Sequence, residues 1–428
     1  MRPGRRSEAG RRSDPRAAAT GPADGRVIAS VTEALVAAIA ARPRSAPTIL
    51  SHGLRVRPEL GPRDRQLVRL WVRAALRAWH AALHLDRGAA PQLAVALAAA
   101  HDAALAPWSD ELPHQHLARR ARLVTGTAAR IELSSLPMAA RLGVDAEWFV
   151  APWATSMAEP FLAASLREPP LTVRLNRTLG SRSQLEAALI REQVRFDPVE
   201  GAPDALNLRT DRHVFDLASF RDGLFEVQDA SGQRLCAALA DHLAPGLGVL
   251  DLCAGRGGKS LALASLVPGL RLVATDIDAA RLADVPARAA RAGAVGVEVR
   301  AFEEALASRY DAVLVDAPCS GLGTLRRHPE LRLWRTPGDI ADLARTQHDV
   351  LRTAAARVGP GGLLVYATCS VLDAENEAIA DAFTSASGEF EALDLVGDRA
   401  GHPVRGVRLG PDTHGTDGFF FAAWRRRA

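Results

Sequence analysis

The sequence predicts an α/β protein. A parallel, doubly wound sheet over residues 236–428 follows a small α+β segment at 165–235 and an all-helical amino-terminal domain at 25–160. Three observations carry this reading. After residue 236, short apolar runs alternate with helical or loop stretches: GVLDLC, LRLVATDI, VEVRAF, YDAVLVDAP and GGLLVYATCS. Apolar strands that alternate with helices demand crossovers and hence a parallel sheet covered on both faces. The first run opens into a glycine-rich turn, and the second ends on an acid, Asp276, 19 residues after Gly257. Before residue 160 the apolar positions instead recur with a helical period.

Each part follows from its own pattern. Residues 1–24 are rich in Arg, Ala, Gly and Pro and predict a disordered tail. Val27, Val31, Leu35 and Ile39 mark the buried face of one helix. Val68, Val72, Leu76, Trp79 and Leu83 mark that of another, with Arg65, Arg69, Arg73 and Arg77 in line opposite. That arginine face reads first as solvated, and second as an RNA contact. From about 170, LTVRLN and VRFDP read as strands around a helix, SRSQLEAALIREQ, opened by a serine cap.

Composition narrows the function. With 428 residues, 48% hydrophobic and 24% charged, the chain can bury ordinary cores in two or three domains. The apolar run LAVALAAA at 93–100 stops at His101, far short of a membrane span, so no membrane partner is expected. The amino terminus lacks the apolar stretch of a secretory signal. A net charge of +4 permits a polyanionic partner without requiring one. The cysteines Cys236, Cys253, Cys319 and Cys369 form no CxxC pair, so neither a metal nor a disulfide is expected. A cytoplasmic monomer is the simplest setting.

The chain has 53 Lys+Arg, and Lys259 is its one lysine. It sits in LDLCAGRGGKS, which imitates a phosphate-binding loop. That loop needs a glycine where this chain has Cys253, and a side chain there obstructs the backbone wrap around phosphates. The stretch fits better as the first turn of a doubly wound sheet, where Gly255 and Gly257 permit a tight strand-to-helix turn and a close ligand. Asp276 then stands where ribose hydroxyls are accepted, which predicts an adenosine-containing cofactor.

Two further strands bring sulfur to the same edge. YDAVLVDAP leads to Asp316, Pro318 and Cys319, and LLVYATCS to Thr368, Cys369 and Ser370. Ligands in such sheets lie beyond the strands' carboxyl ends. Hydride transfer has no use for two thiols there, whereas methylation at carbon 5 of cytosine has. A thiolate added to carbon 6 breaks the ring's aromaticity and makes carbon 5 a nucleophile toward a sulfonium methyl. The carbon-5 proton must then leave before the thiol departs. Spacing alone does not rank the two cysteines.

With these residues in view, the chain resembles the RsmB/Sun-type RNA cytosine-5 methyltransferases. LDLCAGRGGKS, ATDIDAARL, VDAPCSGLGTLRRHPE and YATCSVLDAENE carry the resemblance, with DGFFFAAW as a closing antiparallel strand. LGPRDRQLVRLWVRAALR more weakly resembles the NusB-like domain that opens such proteins. The resemblance implies a Rossmann-like class I methyltransferase sheet, S-adenosyl-L-methionine as cofactor and RNA as partner, with small-subunit 16S rRNA as the expected substrate. Transfer RNA or another RNA is an alternative, as is a non-catalytic RNA-binding protein that keeps the fold.

By the same resemblance Cys369 would be the nucleophile, Cys319 would assist proton removal and release, and Asp316 would bond the cytosine ring or flank the cofactor. DNA cytosine methyltransferases use the other cysteine. Cys253, Ala254, Gly255, Arg256, Gly257, Gly258, Lys259, Asp276, Glu303 and Asp316 would line the cofactor, with Glu304 competing for the place of Glu303. Lys259 would project into the pocket, the alternative being a salt bridge at the helix start. Gly255-Arg256 replaces the family's Ala-Pro. Arg326 and Arg327 are candidates for RNA phosphates, against surface charge, and Arg174, Asn176 and Arg177 are candidate RNA contacts. Tyr366 reads as core.

Overall fold

The structure, a computed structural model, describes residues 25–85, 90, 91, 94, 155–165, 167–396 and 406–428. The expected tail at 1–24, and most of the expected helical domain between 86 and 154, lie outside the described residues. No helix among the described residues is long and apolar enough to cross a membrane.

The first described unit is helical: α1 (Gly25–Ala41), α2 (Ala46–Arg55) and α3 (Pro62–Leu85). Val31, Leu35 and Ile39 of α1 are buried against Val68, Val72 and Leu76 of α3, as the periodicity predicts. The arginine face departs from expectation. Arg69 is exposed, but Arg77 is buried, pairs with Glu168 at 2.7 Å and donates to the Arg326 carbonyl at 3.2 Å. One end of the face is therefore a docking surface for the catalytic unit. α4 (Thr155–Ser165) follows.

The small α+β unit holds β1 (Leu171–Leu175), α5 (Arg182–Arg191), β2 (Arg195–Val199), β3 (Ala202–Arg209) and β4 (Phe225–Val227) in an antiparallel sheet of order β2-β3-β1-β4. Ser181 caps α5 through a reciprocal bond with Gln184, as a serine before a glutamine at that spacing should. Asn207, opposite Thr172 in register, accepts its hydroxyl at 2.7 Å.

α6 (Ala230–Ala240) packs on both units and buries Leu235, Cys236 and Leu239 in the core of the large sheet. That sheet contains β5 (Gly248–Asp251), β6 (Arg271–Ala274), β7 (Val297–Val299), β8 (Tyr310–Asp316), β9 (Val358–Thr368), β10 (Phe390–Leu393), β11 (Val407–Leu409) and β12 (Phe419–Arg426). Its helices include α7 (Gly258–Leu266), α8 (Val285–Ala292), α9 (Pro337–Ala355) and α10 (Glu377–Ala386). The order is β10-β12-β9-β8-β5-β6-β7, with β11 beside β12. β5 to β9 pair in parallel, and β12 runs antiparallel to β9. The strand order reverses between β5 and β8, so the ligand crevice of a doubly wound sheet opens there.

Buried charge locks the small unit to the large one, and this corrects several expected RNA contacts. Glu226 of β4 is buried between Arg288 and Arg291 of α8, with Arg288 at 2.8 Å. Arg174 is buried and donates to Gln228, while Asn176 is buried and donates to the carbonyls of Gly223 and Ala292. Neither can reach RNA. Arg177 is half exposed but paired with Asp204. Arg326 is buried against Asp417, and Arg327 bridges Asp417 and Asp229 at 2.6 and 2.9 Å. These two arginines are internal staples, neither surface charge nor a phosphate grip.

Candidate active site

The glycine turn forms because two residues take left-handed backbone, Gly255 at φ 53° and Gly257 at φ 78°. Between them the chain folds back so that Gly257 N donates to the Ala254 carbonyl at 2.8 Å, and α7 begins at Gly258. Asp276, buried at the tip of β6, accepts the Gly255 amide at 2.9 Å and the Asp278 amide at 3.0 Å. The acid predicted at this position thus braces the turn as well as facing it. A Cβ on Gly258 would meet nothing within 4 Å, so the turn borders open space. The Arg256 side chain leaves the turn to pair with Asp284. Glu303 and Glu304 are both exposed in the helical turn after β7, and the geometry does not separate them.

Lys259 reaches Asp316 across the turn, with Nζ 2.5 Å from Oδ2. This is a salt bridge, but with the catalytic candidate at the end of β8, not within its own helix start. Burial presses the ammonium toward losing its proton; the Asp316 carboxylate more than offsets this and holds the proton on. Lys259 also lies over the Phe419 ring, 5.3 Å from its centroid.

The sequence reading missed Asp251. Its carboxyl is buried at the end of β5; Oδ2 accepts Ser260 Oγ at 2.7 Å, while Oδ1 has no partner among the described residues. Burial pushes its pKa up to about 6, against the Ser260 bond and Lys259. The signal was present in VLDLC, where a carboxylate ends an otherwise apolar strand. Asp251, Asp276 and Asp316 face two cations, Lys259 and Arg281. An orphaned carboxylate oxygen and a surplus negative charge suit a ligand with positive centres.

The two thiols meet. Asp316 is in register with Ala367, and the Ala317 amide donates to the Ala367 carbonyl at 2.8 Å, so the loops after β8 and β9 leave side by side. Cys319 Sγ lies 3.2 Å from Cys369 Sγ, and both cysteines are free. Glycine makes the approach possible: Gly323 N donates to the Cys369 carbonyl, and a Cβ on Gly323 would stand 2.0 Å from the Gly418 carbonyl oxygen. Cys319 is held well above the ordinary thiol range by its hydrogen bond with Cys369, then by burial and by the charges of Cys369 and Glu375. It therefore keeps its proton, and either sulfur can donate to the other across the 3.2 Å contact. Of the other cysteines, Cys236 is fully buried with its pKa pushed to about 12 by burial, and burial raises Cys253 likewise. Tyr366 is core, as expected, with its hydroxyl on the Glu375 carbonyl at 2.6 Å.

Comparison with known proteins shows what the chain is similar to. Residues 240–425 match the 16S rRNA methyltransferase RsmB/F family, and residues 146–215 match a ferredoxin-like domain of RsmF/B-like methyltransferases. The chain is 36% identical over 267 residues to ribosomal RNA small subunit methyltransferase B of Salmonella arizonae, covering 61% of each chain. It is 35% identical over 271 residues to the protein of that name from Escherichia coli K12, covering 62% of this chain and 61% of the relative. The matches thus span about three fifths of these relatives' length. A solved methyltransferase homologue from Pyrococcus horikoshii aligns over 69% of this chain and 100% of its own, with a TM-score of 0.59 and 28% identity. The solved protein PH0851 shares the fold over 94% of this chain and 99% of its own, with a TM-score of 0.71 at 21% identity.

Proposed function

We propose that the chain, through residues 146–215 and 240–425, is an RsmB/F-type methyltransferase and that it methylates carbon 5 of a cytosine in 16S rRNA through a covalent Cys369 adduct, as a cytoplasmic monomer. One observation carries the reading: two free thiols in contact at 3.2 Å beside the Lys259–Asp316 pair.

S-adenosyl-L-methionine fits the residues present and, when bound, supplies an electrophilic methyl group. Gly258 leaves open space beside the turn that Gly255 and Gly257 form, Asp276 would accept its ribose hydroxyls, Cys253, Ala254 and Arg256 border the turn, and Glu303 or Glu304, after β7, would accept its adenine amino group. Asp251 and Asp316 offer carboxylates to its positive centres.

The residues then divide the work. Cys369 adds through Sγ to carbon 6 of a cytosine that has left its stack, because a ring still stacked cannot present carbon 6 to a half-buried thiol. Asp316, held by Lys259, would accept a bond from the protonated ring nitrogen, and the Lys259 cation would offset the negative charge that develops on the ring. Cys319 removes the proton from carbon 5, after which the bond from carbon 6 to Cys369 breaks and the product leaves. Timing follows from the thiol contact. While Cys369 is free, its hydrogen bond with Cys319 holds the Cys319 thiol above the ordinary range. Once Cys369 is bonded to carbon, that sulfur carries no charge and accepts weakly. The largest force holding the Cys319 proton then disappears at the stage that needs a base.

The test is incubation of the purified protein with methyl-labelled cofactor and unmodified 16S rRNA, followed by nucleoside analysis. Labelled 5-methylcytidine at a single position supports the reading. Label in another nucleoside, or in none, contradicts it.

A further inference from the structure

We propose that Glu375 is a positioning residue of this site: its buried carboxylate ties together the residues that follow the two thiols and so sets the Cys319–Cys369 separation. The inference rests on the proposed reaction, which gives that separation its purpose.

Cys319 is followed by Ser320, and Cys369 by Ser370. Glu375 is fully buried in the turn between β9 and α10. Its Oε1 accepts the Ser320 backbone amide at 2.8 Å, and its Oε2 accepts the Ser370 hydroxyl. The two serine hydroxyls also touch each other at 3.2 Å. Their protons can be ordered without conflict: the Leu322 and Leu372 amides donate to Ser320 Oγ and Ser370 Oγ, Ser320 donates to Ser370, and Ser370 donates to Glu375. Gln347, also fully buried, joins from α9 and donates to Glu375 Oε1 at 3.0 Å and to the Pro318 carbonyl at 2.9 Å. Ser320 is therefore fixed to the carboxylate directly, and Pro318, on the other side of Cys319, through Gln347.

A carboxylate buried with hydrogen bonds and no ion pair among the described residues is costly, and it is tolerable only because three donors converge on it. Those donors come from α9 and from the two catalytic loops. Removing the side chain leaves the loops without their common anchor. Removing only its charge leaves the anchor and changes the field at Cys319. The groups facing Cys319 are Cys369 and Tyr366 from β9 and its end, Glu375 from the turn, and Arg335, which donates to the Cys319 carbonyl.

Two variants of the full chain separate these effects. Glu375→Gln can keep both bonds, because the Ser370 hydroxyl can rotate to accept. Glu375→Ala keeps neither. The first readout is the rate at which diamide joins Cys319 to Cys369 in the absence of RNA; the second is the pH profile of iodoacetamide alkylation; the third is kcat beside KM for the methyl donor. For Glu375→Ala we expect cross-linking slowed at least tenfold and kcat reduced on the order of 10²-fold, with KM for the donor unchanged. For Glu375→Gln we expect near-normal cross-linking and an alkylation profile moved to lower pH. Should the alanine variant fail to fold, Glu375→Asp, whose shorter side chain cannot reach both loops, takes its place, and cross-linking at the parental rate in that variant overturns the proposal. So does an alanine variant that cross-links at the parental rate. The thiol assays need no RNA, so a parental protein that passes them yet methylates nothing refutes the proposed function and leaves this inference standing.

Discussion

Lys259 and Asp316 form an ion pair, Nζ to Oδ2 at 2.5 Å, that joins the cofactor turn to the end of the strand carrying the first thiol. The pair explains why the one lysine of the chain stands where it does. Lys259→Met leaves Asp316 without its cation while preserving most of the volume. Loss of a charge-assisted bond beside the reacting ring is expected to lower the methyl-transfer rate on the order of 10²-fold, about 2–3 kcal/mol. Single-turnover kinetics would show it, and a rate within a factor of three of the parent would remove Lys259 from the mechanism.

Asp251 offers a pH test. Its pKa is raised to about 6, so folding favours the protonated acid. That contribution is fully present below the unfolded value near 4 and is lost as pH rises through about 6. Asp251→Asn is neutral throughout. It should therefore gain stability over the parent as pH rises, by about 1 kcal/mol between pH 5 and pH 7.5 in the absence of cofactor. Cofactor affinity should fall in the same variant. Chemical denaturation at the two pH values, paired with calorimetric titration, checks both signs.

Gly323 tests the convergence of the loops. A methyl group there would overlap the Gly418 carbonyl oxygen and approach the Cys369 carbonyl oxygen at 2.7 Å. Both are backbone atoms and cannot swing away. Gly323→Ala should lower activity more than tenfold and reduce the melting temperature, while cofactor binding at the glycine turn persists.

Glu226 tests the lock between the units. Glu226→Ala strands the guanidiniums of Arg288 and Arg291 in a largely buried site, which should cost about 3 kcal/mol. Equilibrium unfolding in urea measures the loss. Limited proteolysis should then cut between β4 and the large sheet, where the parent resists.

Much of the site was legible because its chemistry is written locally. Glycines at a strand end, an acid at the next strand's tip and two cysteines after buried runs each announce themselves, and the doubly wound order places them together. What escaped depends on partners distant in sequence. Arg174, Asn176, Arg326 and Arg327 look like surface cations or polar contacts until Gln228, Ala292, Asp229 and Asp417 close over them. Arg77 shares the pattern of a solvated face and is nonetheless buried on Glu168. β10 and β11 are too short to show a period, and they exist because β12 offers them an edge. Glu375 lies within YATCSVLDAENE, but only the fold brings its carboxylate to the residues that follow both thiols.

The two sulfur atoms have unequal tasks in this account, and trapping the protein–RNA adduct measures that directly. Cys369→Ala and Cys319→Ala would each be mixed with 16S rRNA and methyl donor, then resolved under denaturing conditions. The account predicts no adduct and no methylation from the Cys369 variant, and a persistent adduct with poor release from the Cys319 variant. The reverse pattern would contradict the assignment, and an adduct from neither variant, nor from the parent under the same trapping conditions, would contradict covalent catalysis itself.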